Sequence, residues 1–497
     1  MKNLKKIALF CATMALTASC SQDFLEPEVK NYVTEEQKKE LAKDPTVLQN
    51  MVTASLSASY NTLQQYWSSH DDFGLRAFQL ATDMMTADLA YLRPSWFRYD
   101  YDFDNFGADY RRTNSTWNQW YDVIAKSNLI LADYFAEETT DAAKLQAKAA
   151  PVGLRGVAFF HLANFYQVTY VGNEDKLGVP LPLKPEDEKL ARSTLKETYQ
   201  RIIEDLTFAV EHGVVTTKRT DVDKAVAAAY LAKAYASMED WTNVQKYAVI
   251  AQEGGSDEVL RFPPSWNVGN ADVLWGFDVT PVTATLWASF YSHMDNTINF
   301  YAGRGQYKGI HNWLYAQMGP KDVRRTLFVN NADYPDIAKK VGFGNYVDKE
   351  GKVYDFDYIS LKFTTKGKDE VNTDYIYIRV QDPILLEIEA LVELNKLTDA
   401  ANKLKAFMAS RDADFVVAST QAELREQVRM QRRLELWGEG TTWFDLRRWK
   451  VLVDRTPGIT GEETNHAVVL KKDLNDIENI HKLPQTEINN NKLLIQN

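Results

Sequence analysis

Cysteine is almost missing from this 497-residue chain: there are two, Cys11 and Cys20, both within the first twenty positions. So few thiols exclude a disulfide-stapled scaffold and a thiolate metal site. Positive charge is also in deficit. Lys and Arg number 57 against 68 acidic residues, a formal net charge of −11, so a nucleic acid backbone would find no basic face to neutralise it. Beyond the N-terminus no apolar run reaches the roughly 20 residues that a membrane-spanning helix requires. No G-x-S-x-G, H-E-x-x-H, P-loop or dinucleotide fingerprint occurs, and the seven histidines are scattered singly. A helical glycosidase is the remote enzymatic alternative; it would need two carboxylates flanking a scissile bond. Pairs such as Asp71/Asp72 or Asp355/Asp357 are uninformative among 68 acids. The chain therefore reads as a binding protein rather than an enzyme, with no cofactor and no metal expected.

What is abundant is apolar and aromatic surface, 45% and 12% of residues, enough to build a large core. At the N-terminus Lys2, Lys5 and Lys6 precede a mostly apolar stretch, Ile7 to Thr17. That length suits the h-region of a signal peptide rather than a spanning helix. Small residues Thr17, Ala18 and Ser19 then lead to Cys20. The pattern resembles a bacterial lipoprotein signal, with cleavage leaving Cys20 first and lipidated. It departs from that pattern in having Thr17 where Leu is commonest; a plain secretory signal with an incidental cysteine is the competing reading. Loss of residues 1–19 removes three lysines and no acids, so the mature charge becomes −11 − 3 = −14.

Helical periodicity dominates the body. "LRGVAFFHLANFYQV" (154–168) puts Leu154, Val157, Ala158, His161, Leu162 and Phe165 on one stripe. "VDKAVAAAYLAKAYASMEDWTNVQKYAVIAQ" (222–252) predicts two helices about a turn at Met238–Asp240, and 385–411 repeats this about Asn395–Lys396. Alanines and aromatics at these spacings resemble tetratricopeptide hairpins, whose small residues let helices approach closely. Further pairs are expected at 117–135 and 145–168. Between 255 and 375 the periodicity weakens, and "DYIYIRV" (374–380) alternates like a short strand. The expected fold is mainly α: a tetratricopeptide-like helix-hairpin scaffold with a loop-rich irregular lobe and little β. Residues 1–19 form the signal peptide, 20–45 the lipidated cysteine and tether, and 46–497 a single domain. Its scaffold spans about 46–255 and 376–497, and its irregular lobe about 256–375.

"REQVRMQRRLELWGEGTTWFDLRRWK" (425–450) predicts a charged helix ending near Trp437, a glycine stop at 438–440, and a second helix started by a capping-box-like Thr442/Asp445 pair. Arg432, Arg433, Glu435, Glu439, Asp445 and Arg447 are positioned to interlock the two helices. This stretch resembles the C-terminal signature of the SusD/RagB family of outer-membrane nutrient-binding lipoproteins. "CSQDFLEP" (20–27), "LRGVAFFHLANFYQVTYVGNEDKLGVPLPL" (154–183), "AVAAAYLAKAYASMEDW" (225–241) and "IHKLPQTEINNNKLLIQN" (480–497) resemble further landmarks of that family in the same order. The resemblance implies a lipid-anchored protein exposed on the outer membrane. Its implied partner is a SusC-like TonB-dependent transporter, and its implied ligand an oligosaccharide or, as in the RagB branch, a peptide. Asp23 and Glu26 in the stretch after Cys20 agree with surface export in that group.

Aromatics concentrate in two regions: sixteen in residues 60–121 and twelve in 262–315, which together hold eight of the twelve tryptophans. Sugars present flat C–H faces to aromatic planes and hydroxyl pairs to Asp, Asn or Arg. The glycan-contact candidates are Trp67, Asp71, Arg76, Trp96, Arg98, Tyr99, Trp287, Tyr291, Asn296, Tyr301 and Trp313. Trp67, Trp96 and Trp313, in polar settings, are the tryptophans most expected to touch ligand; Trp117, Trp120 and Tyr121 fall in a helical pattern and are assigned to core. "DYDFDNFGADY" (100–110) has Asp100, Asp102 and Asp104 at calcium-loop spacing, but Asn105 and Arg111 at the sixth and twelfth positions exclude an EF-hand. A strand edge with one carboxylate face is expected there instead.

Overall fold

Alanine decides where the helices come together. In the segment Lys224–Ser237 (α8 below), Ala225, Ala227, Ala228, Ala229, Ala232, Ala234 and Ala236 are all buried, so neighbouring helices can approach it closely over these methyls. The computed structural model describes residues 34–64, 69–344, 346–347, 351, 353–354, 356–365, 371–459 and 461–497. The expected signal peptide (1–19), Cys20 and Trp67 lie outside the described residues. Two units are distinguished, Met1–Leu48 and Gln49–Asn497. In the first, helix α1 (Glu35–Leu41) starts at a capping box: the Thr34 hydroxyl accepts from the Gln37 N–H at 3.2 Å, and the Thr34 N–H donates to Gln37 Oε1 at 2.9 Å.

In the second unit, after α2 (Pro45–Gln64, begun in the first unit) come α3 (Leu75–Met84), α4 (Arg98–Tyr101), α5 (Arg111–Tyr134), α6 (Ala142–Tyr166), α7 (Leu195–His212), α8 (Lys224–Ser237) and α9 (Trp241–Gln252). The irregular region adds α10 (Phe290–Met294), α11 (Asn312–Tyr315) and α12 (Pro335–Val341). The C-terminal part contributes α13 (Gln381–Glu393), α14 (Leu397–Met408), α15 (Gln421–Glu435), α16 (Thr442–Trp449) and α17 (Gln485–Asn490). Packing runs in succession: α5 on α6, α6 on α7, α7 on α8, α8 on α9, α9 on α13, and α13 on α14 and α15. The chain is mainly helical and tetratricopeptide-like, as its alanine and aromatic spacing predicts. Both hairpins turn where expected, α8–α9 across 238–240 and α13–α14 across 394–396.

Strands are short and, among the described residues, always paired antiparallel in twos. β1 (Leu89–Tyr91) pairs with β3 (Lys308–Ile310), Tyr91 opposite Lys308. β2 (Val273–Phe277) pairs with β6 (Tyr375–Arg379). β6 is buried at all five positions, not on alternate ones, because it is covered on both faces. The β1–β3 pair ties the two aromatic-rich regions together.

The C-terminal charges work differently from the helix-to-helix lock expected of them. Arg432 does bridge the two helices, to Asp445 at 2.8 Å, and also reaches Asp382 at 2.9 Å. Glu435 instead faces Arg411 at 2.9 Å, Arg324 at 3.3 Å and Arg379 at 3.5 Å, all from outside α15 and α16. Glu439 holds Lys362 and Arg379, each at 2.6 Å, Arg433 takes Asp88, and Arg447 donates to the carbonyls of Asn164 and Gln167. The charged segment thus clamps the scaffold to the irregular region. Nor does Asp445 cap α16: the N-cap is Thr441, without a side-chain cap bond, because both Asp445 oxygens are taken by Arg432 and Arg448. Gly440 at φ 76° passes so close to Gln79 that a Cβ there would sit 2.5 Å from its side chain.

Candidate ligand-binding site

Two loops separated by some two hundred residues meet at the β1–β3 pair. The buried Tyr91 hydroxyl joins them: it lies 2.9 Å from the Trp96 carbonyl and 3.1 Å from Gln306 Oε1, and accepts from the Ser95 N–H at 3.1 Å. Phe97, in the left-handed conformation at φ 63°, turns its ring inward against Phe73 and His293. Its neighbours are thereby left towards solvent: Trp96 is partly buried, and Tyr99 is 61% exposed.

Trp96, His70, Tyr301 and Trp287 form a continuous aromatic shelf. Ring centres are 5.4 Å apart for His70–Trp96, 5.6 Å for Trp96–Tyr301 and 4.8 Å for Tyr301–Trp287. His70 Nδ1 pairs with the Tyr301 hydroxyl. Behind the shelf Tyr301 stacks at 4.9 Å on buried His293, whose Nε2–H donates to the His70 carbonyl at 2.6 Å. Burial above all, and then Lys308, push the His293 imidazole down to about 3, so it stays neutral and the backing of the shelf carries no charge. Arg304 lies 5.0 Å from the centre of the Trp287 ring.

From Trp96 the shelf opens into a cleft of about 400 Å³, lined also by Asp71, Ser95, Phe97, Tyr99, Asp100, Asn105, Tyr110, Arg111 and Arg112. Tyr110, 42% exposed, faces Tyr99 with ring centres 6.4 Å apart. The floor is charged and interlocked. Arg111 pairs with Asp71, and buried Arg112 reaches Asp100 at 3.1 Å and Asp71 at 3.5 Å. Burial alone would raise the Asp71 carboxyl, but Arg112 and Arg111 outweigh it and hold the group below its ordinary value. Asp72 is pushed up to about 6, burial outweighing the same two arginines. Such a floor offers fixed donors and acceptors beside apolar planes, the combination that hydroxylated ring ligands require.

Asp71, Trp96, Arg98, Tyr99, Trp287 and Tyr301 are brought to this cleft and shelf or their rim; Arg98 is an exposed residue paired with Asp102 at 2.9 Å. Three candidates are corrected to structural roles. Arg76 is buried, 3.8 Å from the Phe290 ring centre and donating to Gln79 and to the Gly438 carbonyl. Tyr291 is buried and donates to the Asp374 carbonyl at 2.9 Å. Asn296 is buried, its amide donating to the Lys308 and Ser360 carbonyls at 3.0 and 2.8 Å. Each has spent its polar atoms inside the protein. Trp313 lies apart from the shelf, beside His311 and Arg433. The expected strand at 100–110 is a helical turn, α4, followed by loop, since Asp100 is drawn inward by Arg112. Sequence reasoning did not pick out Tyr110, Arg111, Arg93 or Arg304; arginines interleaved with the aromatics were the available signal.

Other hollows differ in kind. One of about 370 Å³ on the scaffold is lined by Trp117, Tyr121, Pro180, Pro182 and Glu487, and a water-sized one of about 30 Å³ lies among His161, Tyr230 and Asp445. Trp117 and Trp120 are buried, as their helical spacing predicts.

A mainly helical scaffold displaying an aromatic shelf defines a class of binding protein, and comparison with known proteins gives its family. Residues 292–497 match the model of the SusD family, and residues 22–236 match the model described as starch-binding, associating with the outer membrane. SusD-like protein P2 of Formosa agariphila is 23% identical over 434 residues, covering 80% of this chain and 84% of that one. Among solved structures, a SusD-like carbohydrate binding protein of Bacteroides vulgatus superposes with TM-score 0.73 at 22% identity, over 90% of this chain and 97% of that one. A SusD superfamily protein of Bacteroides thetaiotaomicron gives 0.74 at 19% identity, over 90% and 99%. The chain belongs to the SusD/RagB family.

Proposed function

We propose that this protein captures oligosaccharides at the cell surface and delivers them, chemically unchanged, to a SusC-like TonB-dependent transporter in the outer membrane. Lipidation at Cys20 would hold it there, since each buried methylene of an acyl chain contributes about 0.8 kcal/mol. The observation that carries the reading is the shelf of Trp96, Tyr301 and Trp287 opening into the cleft of Tyr99 and Tyr110. Aromatic planes beside fixed carboxylates and guanidiniums suit sugar rings; peptide capture leans instead on backbone partners. Outer-membrane association in one matching family description supports the location. The deciding experiment is calorimetric titration of the mature protein against a polysaccharide panel and a peptide library, repeated with Trp96→Ala/Trp287→Ala. A glycan should bind, and the double variant should weaken it by roughly fivefold to 150-fold, two lost ring contacts at about 0.5–1.5 kcal/mol each. Glycan affinity that ignores both tryptophans, or binding to peptides alone, would refute the proposal.

A further inference from the structure

The edge of the shelf carries positive charge on a chain whose overall balance is negative. Arg304 and Arg93 are both exposed, and the Arg93 guanidinium reaches the backbone next to Arg304: a Cβ on Gly305 would meet Arg93 Nη1 at 3.4 Å. Arg304 lies over Trp287 at 5.0 Å. Its Nε donates to the Asn299 carbonyl and to Asn299 Oδ1, both at 3.1 Å, while neither of its Nη groups has an acceptor among the described residues. Arg93 has no hydrogen-bond or carboxylate partner among the described residues. The other arginines near the site are neutralised, Arg98 by Asp102, Arg111 by Asp71 and Arg112 by Asp100. Two guanidiniums on this edge are thus left without a carboxylate partner among the described residues, on a chain whose net charge is −11.

A guanidinium presents paired N–H groups that match a carboxylate or a sulfate in fork geometry, and it keeps its charge at any physiological pH. Resting one such group on an indole holds it in place and reduces what is lost on binding. Long-range repulsion from an acidic protein disfavours anionic polymers, so a local pair of unneutralised cations has meaning only for a ligand that brings negative charge to that spot.

We propose that the ligand of the shelf is an anionic glycan, whose carboxylate or sulfate ester is held by Arg93 and Arg304 while its rings lie along Trp287, Tyr301 and Trp96. The proposal rests on the glycan reading of the shelf and adds the chemical class of the sugar. The test titrates the full mature chain with oligosaccharides of three kinds. Polygalacturonate and alginate supply the carboxylate, κ-carrageenan and fucoidan the sulfate ester, and starch, laminarin, xylan and mannan are neutral. At least one anionic oligosaccharide is expected to bind roughly tenfold more tightly than any neutral one, and which arm it belongs to identifies the group. Arg93→Gln/Arg304→Gln, both surface changes, should cost that ligand about tenfold or more, and a clearly larger factor than it costs any neutral oligosaccharide that binds. Neutral oligosaccharides binding as tightly as charged ones, or a double variant that keeps its anionic affinity, overturns the proposal and leaves the glycan reading intact. Failure of every saccharide, charged or neutral, overturns both.

Discussion

Tyr91→Phe isolates the joint between the two loops from the rings that would touch ligand. Tyr91 is fully buried and its hydroxyl is the link between the Trp96 loop and Gln306. Removing that oxygen leaves the ring in place, 4.3 Å from Lys308 Nζ, and the β1–β3 backbone pairing untouched. One accepted bond, from the Ser95 N–H, and one donated bond, shared between the Trp96 carbonyl and Gln306, are lost. At about 1 kcal/mol net for each, the folded state loses about 2 kcal/mol. The same freedom must be withdrawn again when a ligand orders the shelf, so affinity should fall between about threefold and thirtyfold, at 1.4 kcal/mol per factor of ten. Urea unfolding gives the first quantity and calorimetric titration with the ligand found on the panel gives the second. Loss of stability with affinity unchanged would show that Tyr91 does not position Trp96; no change in either would show that the hydroxyl bonds contribute nothing.

Glu435→Gln removes a charge shared by Arg411, Arg324 and Arg379. Each keeps another carboxylate (Asp257, Asp322 and Glu439), so the cost should be about 3 kcal/mol, the low end for a broken buried pair. Burial alone would raise the Glu435 carboxyl, but the three arginines hold it far below its ordinary value. Its contribution is therefore present above an unfolded value of about 4.5 and disappears as pH falls. The gap between wild type and variant in urea midpoint should be full at pH 7 and shrink below pH of about 4.5; a constant gap would contradict the ionic origin. Gly440→Ala puts a Cβ within 2.5 Å of the Gln79 side chain at a φ of 76°, so strain and overpacking should together cost about 2–4 kcal/mol in the same assay. A loss below about 0.5 kcal/mol would show that the contact relaxes freely.

Much of the scaffold was legible because its determinants are local. The spacing of alanines in α8, the turn residues at 238–240 and at Asn395, and the glycine stop after α15 act within a few residues of themselves. The clamp of Arg432, Glu435 and Glu439 was visible as a concentration of charge. Its partners were not, since Arg324, Arg379 and Lys362 come from elsewhere in the chain. The capping role expected of Asp445 failed for the same reason: a tertiary partner, Arg432, outcompeted the local one.

By itself, then, the amino-acid order determined helix hairpins and two stretches rich in rings. It could not determine which rings face outward, because exposure depends on what folds over a side chain and not on its neighbours in sequence. Arg76, Tyr291 and Asn296 sit in polar, aromatic company just as Trp96 and Tyr301 do, yet packing draws the first three inside to hold carbonyls and rings. The antiparallel meeting of Leu89–Tyr91 with Lys308–Ile310 brings Trp96, Tyr301 and Trp287 into one shelf and sets at its edge two guanidiniums with no carboxylate partner among the described residues.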